Sequence, residues 1–161
     1  MPAATTLGWV HEAPDPTIRA CLGSQEHPAL VSIWRSAVDA THDFLAEQDR
    51  DAIEAQLAGA YFPQVTLTVT ELAGRPVGFA GVAGQSLEML FVDAGLHGRG
   101  IGSALLAHVV RTAGVRAVDV NEQNPSAAAF YLRHGFTVAG RSEVDGEGRP
   151  YPLLHLTRLL A

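Results

Sequence analysis

The sequence predicts a mixed α/β fold, with six to seven strands in one sheet and about four flanking helices. Three observations carry that reading. The apolar spacing changes from helical to alternating near Val65. An almost unbroken apolar run, residues 87–92, feeds straight into a glycine-rich loop and then a helix. A second strand–helix–strand unit follows between Val115 and Phe136, so crossovers are mixed with an earlier meander.

Each element has its own signal. Residues 1–15 carry Pro2 and Pro14, with Pro16 at the boundary, and no periodicity; they read as an irregular tail before a single domain, 16–161. Residues 17–22 are β-prone and form the expected first strand. Gly23-Ser24 is a turn able to cap a helix. In residues 26–41, Leu30, Ile33, Trp34, Ala37 and Val38 fall at helical spacing. A bend at 41–45 leads to a second helix, 47–60, with Ile53, Leu57 and Ala60 as its buried stripe. Val65, Leu67 and Val69 then alternate with threonines, the pattern of a half-buried strand. A turn at 73–76 returns the chain as a strand over 77–82, and Gly84-Gln85 turns it again. Residues 87–92 are apolar enough to be buried on both faces. Beyond the glycines, 101–113 is helical through Ile101, Leu105, Leu106, Val109 and Val110, and 115–120 is a short buried strand. Asn124-Pro125-Ser126 opens a helix that closes at His134-Gly135. Residues 136–144 and 151–159 pair around Asp145-Gly146-Glu147-Gly148.

Composition narrows the function. The chain has 161 residues, 47% hydrophobic and 17% charged, which suits one compact globule with no need of a covalent staple. One cysteine, Cys21, allows no internal disulfide and is expected as a small buried hydrophobe of the first strand, in a reducing compartment. No apolar run approaches a membrane span, and residues 1–15 lack the pattern of a secretory signal, so a cytoplasmic protein with no membrane partner is expected. All 11 basic residues are arginine, against 17 carboxylates, for a net charge of −6. That balance opposes a nucleic-acid partner and favours a cationic or neutral small substrate. The seven histidines show no metal-ligand spacing, so no metal is expected.

The most informative segment is the loop after residue 92, where Gly98, Gly100 and Gly102 alternate just before a helix. Glycines there strip away the Cβ atoms that would keep a ligand from the backbone, and the amides at a helix start suit a phosphate or diphosphate. The simpler reading is a tight strand-to-helix turn. Ile101-Gly102 stands where a Walker loop needs Lys-Ser/Thr, and Ser103 breaks the dinucleotide fingerprint, so nucleotide hydrolysis and hydride transfer both fall.

These residues resemble the GCN5-related N-acetyltransferase superfamily. His97-Gly98-Arg99-Gly100-Ile101-Gly102 is similar to its Gln/Arg-x-x-Gly-x-Gly/Ala motif, with His97 in place of Gln or Arg. Asn124-Pro125-Ser126-Ala127, followed by Phe130-Tyr131 and Gly135-Phe136, is similar to its second signature. Segments 38–45, 120–124, 140–145 and 150–154 resemble, more narrowly, the bacterial YjaB-type acetyltransferases. The resemblance implies the GNAT fold with a mostly antiparallel sheet, acetyl-CoA as co-substrate, and direct transfer of an acetyl group to a primary amine in a ternary complex. The acceptor would be a peptide lysine or a small-molecule amine, and the enzyme a monomer or homodimer. A non-catalytic acyl-CoA sensor or interaction module is the alternative.

The resemblance also implies roles for residues. The backbone of Leu90, Phe91 and Val92 would hold the pantetheine arm in a gap between the fourth and fifth strands. His97, Gly98, Arg99, Gly100, Ile101, Gly102 and Ser103 would hold the diphosphate, Arg99 either touching it or standing as a solvated loop arginine. Tyr131 would be the acid that protonates the leaving thiolate, or else a tyrosine packed beside Phe130. Asn124 would cap its helix and reach the cofactor arm. Glu88 interrupts an apolar strand; as a buried carboxylate its affinity for protons would rise towards that of a base, unless the strand end is wet and it only orders water. Trp34, His42, Phe44, Asn121 and Tyr151 would shape the acceptor pocket, with Trp34 also readable as core. No serine or cysteine is expected in position to form a covalent intermediate.

Overall fold

The computed structural model describes residues 15–159; the expected tail lies outside these, apart from Asp15. In chain order the elements are β1 (Thr17–Ala20), α1 (His27–Thr41), α2 (Glu47–Gln56), β2 (Thr66–Leu72), β3 (Arg75–Ala83), β4 (Ser86–Val92), α3 (Ile101–Ala113), β5 (Ala117–Asn121), α4 (Pro125–Arg133), β6 (Phe136–Ser142) and β7 (Leu153–Arg158). The seven strands form one sheet in the order β1-β2-β3-β4-β5-β7-β6. Every neighbouring pair is antiparallel except β4 and β5, which run parallel across the α3 crossover.

Two apolar cores lie on opposite faces of the sheet. On one, α3 and α4 bury Ile101, Leu105, Leu106, Val109 and Tyr131 with Val118, Val120 and Leu156. On the other, α1 buries Leu30, Ile33, Trp34 and Val38 with Val69 and Phe79. Each such side chain contributes roughly 1.5–3 kcal/mol on leaving water. Turn chemistry sets the meander: Ala73 and Gly74 both have positive φ, 52° and 77°, as a two-residue hairpin between right-twisted strands requires.

The edges of several elements differ from the sequence expectation, each for a local reason. β7 begins at Leu153, not 151, because Pro150 and Pro152 have no N–H to give a ladder. The α-helical part of α2 ends at Gln56 and widens into a π-type turn, Leu57–Tyr61. The widened turn leaves Leu57 buried but puts Ala60 outside, while Phe62 takes the inward place expected of Ala60. β1 ends at Ala20, so Cys21 stands beyond the strand and is only half-buried.

Two features of β4 position the site. Its register with β5 covers only Ser86↔Ala117 and Leu87↔Val118, after which the two strands part. Its register with β3 steps from Gly81↔Met89 to Val82↔Leu87, so Glu88 is an extra, bulged residue. Such a bulge re-aims a side chain and bends its strand away from a neighbour. The strand is therefore not sealed on both faces, as its composition suggested: Glu88 is exposed and residues 89–92 are half-buried.

Candidate active site

Where β4 and β5 part, a cleft of about 640 Å³ opens between them. Its floor is the β4 backbone from Leu87 to Val92. Asp93 donates its amide to the Val77 carbonyl at 2.8 Å. Bonded pairs alternate along an antiparallel ladder, so Phe91 shares its main-chain groups with Phe79 of β3. Leu90 and Val92 turn theirs toward the gap. Of the three residues expected to offer backbone groups there, Phe91 is thus the exception, although it lines the cleft. His97 folds back so that its Nε2 meets the Val92 carbonyl at 2.7 Å, which leaves the Leu90 N–H and C=O and the Val92 N–H facing the gap.

At one end of the cleft lies the glycine loop. Gly98 and Gly100 have φ of 77° and 82°, and Gly100 is the left-handed N-cap of α3 with no side-chain cap. A Cβ on either glycine would meet nothing within 4 Å, so the space above them is open. The amides of Ile101, Gly102 and Ser103 belong to the first turn of α3, where no intrahelical acceptor exists for them. Gly98, Gly100, Ile101, Gly102, Ser103 and His97 all line the cleft. Arg99 does not, which favours the reading as a solvated loop arginine. The cation at the cleft is instead Arg133, at the end of α4. Sequence reasoning passed over Arg133, whose only signal was its place in the last turn of that helix.

Ser103 is already engaged. His134 places Nδ1 against the Phe130 carbonyl at 2.7 Å and Nε2 against the Ser103 hydroxyl at 3.1 Å. A nitrogen facing a carbonyl carries the proton, so Nε2 accepts and the serine hydroxyl donates to it. The oxygen lone pairs of Ser103 are left outward, and its main-chain amide is the group it can offer an anion.

Tyr131 projects from α4 into the wall of the cleft and is 6% exposed. Burial alone holds its phenol well above the ordinary value. Its hydroxyl takes part in none of the hydrogen bonds of the described residues, yet it is not sealed from the surface, so it opens on the cleft. Asn124 is buried at the start of α4, where its side-chain oxygen accepts the Ala127 amide at 3.2 Å. Its carboxamide nitrogen faces no such demand, and the residue lines the cleft.

Glu88 lines this cleft and also a second cavity, of about 380 Å³, on the α1 and α2 side of the sheet. The bulge therefore sets a carboxylate between the two spaces. That position is compatible with a base, but it rests on a wet, bulged strand and not on the burial expected from composition. Of the five acceptor residues, His42 and Asn121 reach the main cleft. Trp34 belongs to the core and edges the second cavity. Phe44 and Tyr151 line neither. Phe44 packs between His42 and Tyr151, with centroids 5.2 and 6.2 Å away. The Tyr151 hydroxyl accepts the Ala46 amide at 3.1 Å and donates to Asp49, tying the segment before β7 to the start of α2. Both residues pack at the bend between α1 and α2. His42 is held down to about pKa 4, by burial first and by the Arg50 charge second, so its ring is neutral in the cleft near neutral pH.

From Asp119, in the cleft wall, outward, β5, β7 and β6 bring together three residues that no motif spacing joined. Asp119 Oδ1 lies 2.6 Å from His155 Nδ1, and His155 Nε2 lies 2.6 Å from Ser142 Oγ. The serine of this row, Ser142, stands on β6 and is absent from the residues lining the cleft, so the expectation that no serine is placed for a covalent step of acetyl transfer is unaffected. Among the described residues no group of three or more His, Cys, Asp or Glu is arranged to hold a metal, and no helix is long and apolar enough to cross a membrane.

A sheet split beside a lone parallel pair, with an uncapped glycine helix start at its mouth, makes an α/β cleft suited to an extended ligand with an anionic end. Residues 63–138 match the acetyltransferase (GNAT) domain. Over 133 residues the chain is 44% identical to the peptidyl-lysine N-acetyltransferase YjaB of Salmonella typhimurium, covering 82% of this chain and 91% of that protein. Its backbone also follows the solution structure of apo YjaB from Escherichia coli, with a TM-score of 0.81, 41% identity and coverage of 91% and 99%. A more distant likeness, of fold alone, is to the PaiA N-acetyltransferase of Thermoplasma acidophilum solved with coenzyme A: TM-score 0.68, 17% identity, 88% and 98% covered. The chain belongs to the GNAT acetyltransferase family, and it is an N-acetyltransferase.

Proposed function

We propose that the protein moves the acetyl group of acetyl-CoA onto the side-chain amine of a peptide lysine, with donor and acceptor held together in the cleft. The observation that carries this reading is the free edge of β4. Past Leu87 the strand has no partner on the β5 side among the described residues, and the open edge runs from the glycine loop toward Tyr131. The residues fit coenzyme A on two counts: the space above Gly98 and Gly100 is open to a diphosphate, and the Leu90 and Val92 main chain can pair with an amide-bearing arm as a strand would. The lysine is supported by the YjaB relative, a peptidyl-lysine N-acetyltransferase, and by the carboxylates Glu88 and Asp119 that line the cleft.

Acetyl-CoA, when bound, supplies an activated thioester carbonyl. The chain supplies position and proton management. Amides of the loop and first turn of α3 hold the diphosphate, with Arg133 adding charge at the rim. The Leu90 edge aligns the reacting carbonyl. Glu88, directly or through water, takes a proton from the incoming ammonium, which must become neutral to attack. The Tyr131 hydroxyl donates to the departing sulfur; burial disfavours phenolate, so it stays protonated and available through the neutral range.

The test is turnover with acetyl-CoA and a panel of lysine peptides and small amines, followed by thiol release and by mass spectrometry of the acceptor. Acetylation of a lysine ε-amine is expected. Tight coenzyme A binding with no acetylated amine in any mixture would refute the reading and leave a binding module.

A further inference from the structure

We propose that Ser142, His155 and Asp119 form a second reactive centre, in which Ser142 is a nucleophile toward small acyl esters with acidic leaving groups. The order of atoms is that of a nucleophile, its base and the group that orients the base. Ser142 Oγ meets His155 Nε2 at 2.6 Å, and His155 Nδ1 meets Asp119 Oδ1 at 2.6 Å. A carboxylate at Nδ1 draws the ring proton to that nitrogen, so Nε2 is left as an acceptor and the serine hydroxyl donates to it. The direction of the chain matters. A proton arriving at Asp119 finds Nδ1 already protonated, so the row is no proton exit for the acetyl-transfer cleft. Only the Ser142 proton has an empty nitrogen to go to.

The sheet holds the three groups without help from any loop. Asp119 and His155 face each other across the β5–β7 ladder, and His155 faces Gly140 across the β7–β6 ladder, where Ser142 is the next same-face residue along β6. The His155 ring lies over position 140, where a Cβ would be 3.6 Å from Cδ2, an ordinary contact, and reaches on to Ser142. The His155 side chain is 38% exposed and that of Asp119 55%, so a small ester reaches the row from solvent.

The chemistry balances within the three residues. Ser142 Oγ forms a bond to the ester carbonyl as its proton passes to His155 Nε2. The C–O bond to the leaving group breaks, the imidazolium returns its proton to that alkoxide or phenoxide, and an acyl-serine remains. Water repeats the sequence on the acyl-serine, yielding the carboxylic acid and free serine. The structure provides the nucleophile and its base. Esters whose leaving group is a good one, such as aryl esters, demand little more.

The experiment uses the full chain with p-nitrophenyl acetate, and in parallel a fluorophosphonate probe with the modified residue located by peptide mass spectrometry. The wild type should release p-nitrophenol and carry the label on Ser142. Ser142→Ala and His155→Gln should each lower release by about a hundredfold, the lower end of what a positioned base contributes. Ser142→Ala should keep its acetyl-CoA-dependent amine acetylation, which separates this centre from the cleft. Release that survives in Ser142→Ala but falls in His155→Gln would show a lone imidazole at work and overturn the proposal. Absence of any label on Ser142 in the folded protein, checked by circular dichroism, would also overturn it.

Discussion

Replacing Tyr131 by Phe removes one oxygen from a side chain that is 6% exposed and makes no hydrogen bond to the described residues. Loss of a bonded hydroxyl would leave a buried partner unsatisfied, at about 1–3 kcal/mol. Among the described residues no such partner exists, and the ring keeps its edge contacts with Phe130 and Phe136, at 5.1 and 5.6 Å. The stability change at neutral pH should therefore stay within about 0.5 kcal/mol, as for changes that touch no partner. Activity should respond very differently: a positioned acid is worth about 10²–10⁴ in rate. Steady-state thiol release should thus fall at least about a hundredfold, while calorimetric coenzyme A affinity and the urea midpoint hold. The raised phenol adds a pH signature. Above the ordinary phenol value the unfolded chain releases this proton before the native one does, so native stability falls as pH rises beyond about 10. The Phe variant should lose that part of the alkaline decline. An unchanged rate in the variant would remove Tyr131 as the acid. A large fall in urea midpoint would show that the hydroxyl has a structural partner.

Gly100→Val should abolish coenzyme A binding by calorimetry, since φ of 82° strains a branched residue and its methyls would fill the open space over the loop; normal affinity would refute the placement of the diphosphate. Glu88→Gln should lower kcat/KM for amines with little change in coenzyme A affinity, and a wild-type rate would leave the proton to water alone. The Glu26 carboxyl, held down to about 2 chiefly by its hydrogen bonds from Arg19, contributes stability that is complete above pH 4.5 and is lost as pH falls from there toward 2. Glu26→Gln should accordingly cost about 2 kcal/mol in urea melts at pH 7 and little at pH 2, less than a fully buried pair because the Arg19 side chain is 25% exposed. For His42 the folded value is the lower one, so stability is lost as pH falls through the window from 6.5 to about 4. NMR titration should show its ring neutral down to about pH 4, and protonation near 6.5 would contradict the burial.

Much of this protein follows from demands that are local along the chain. Alternation through Leu67 and Val69, the glycine loop at 98–102 and the Asn124-Pro125 helix start each constrain only their own few residues, and each stands in the structure where the sequence put it. The element order and the glycine loop were legible for that reason, whereas the place of Tyr131 was implied by the family resemblance alone. Pairing between distant segments was not. One extra residue in the β3–β4 register bulges Glu88 out of an apolar strand; its charge stood out along the chain, but the bulge did not. Arg133 replaces Arg99 at the cleft because of where α4 ends over the gap. Asp119, Ser142 and His155 meet only because β7 inserts between β5 and β6. Hydrogen-bond register and the parting of two strands depend on the whole sheet, so only the tertiary structure could decide which side chains share a space.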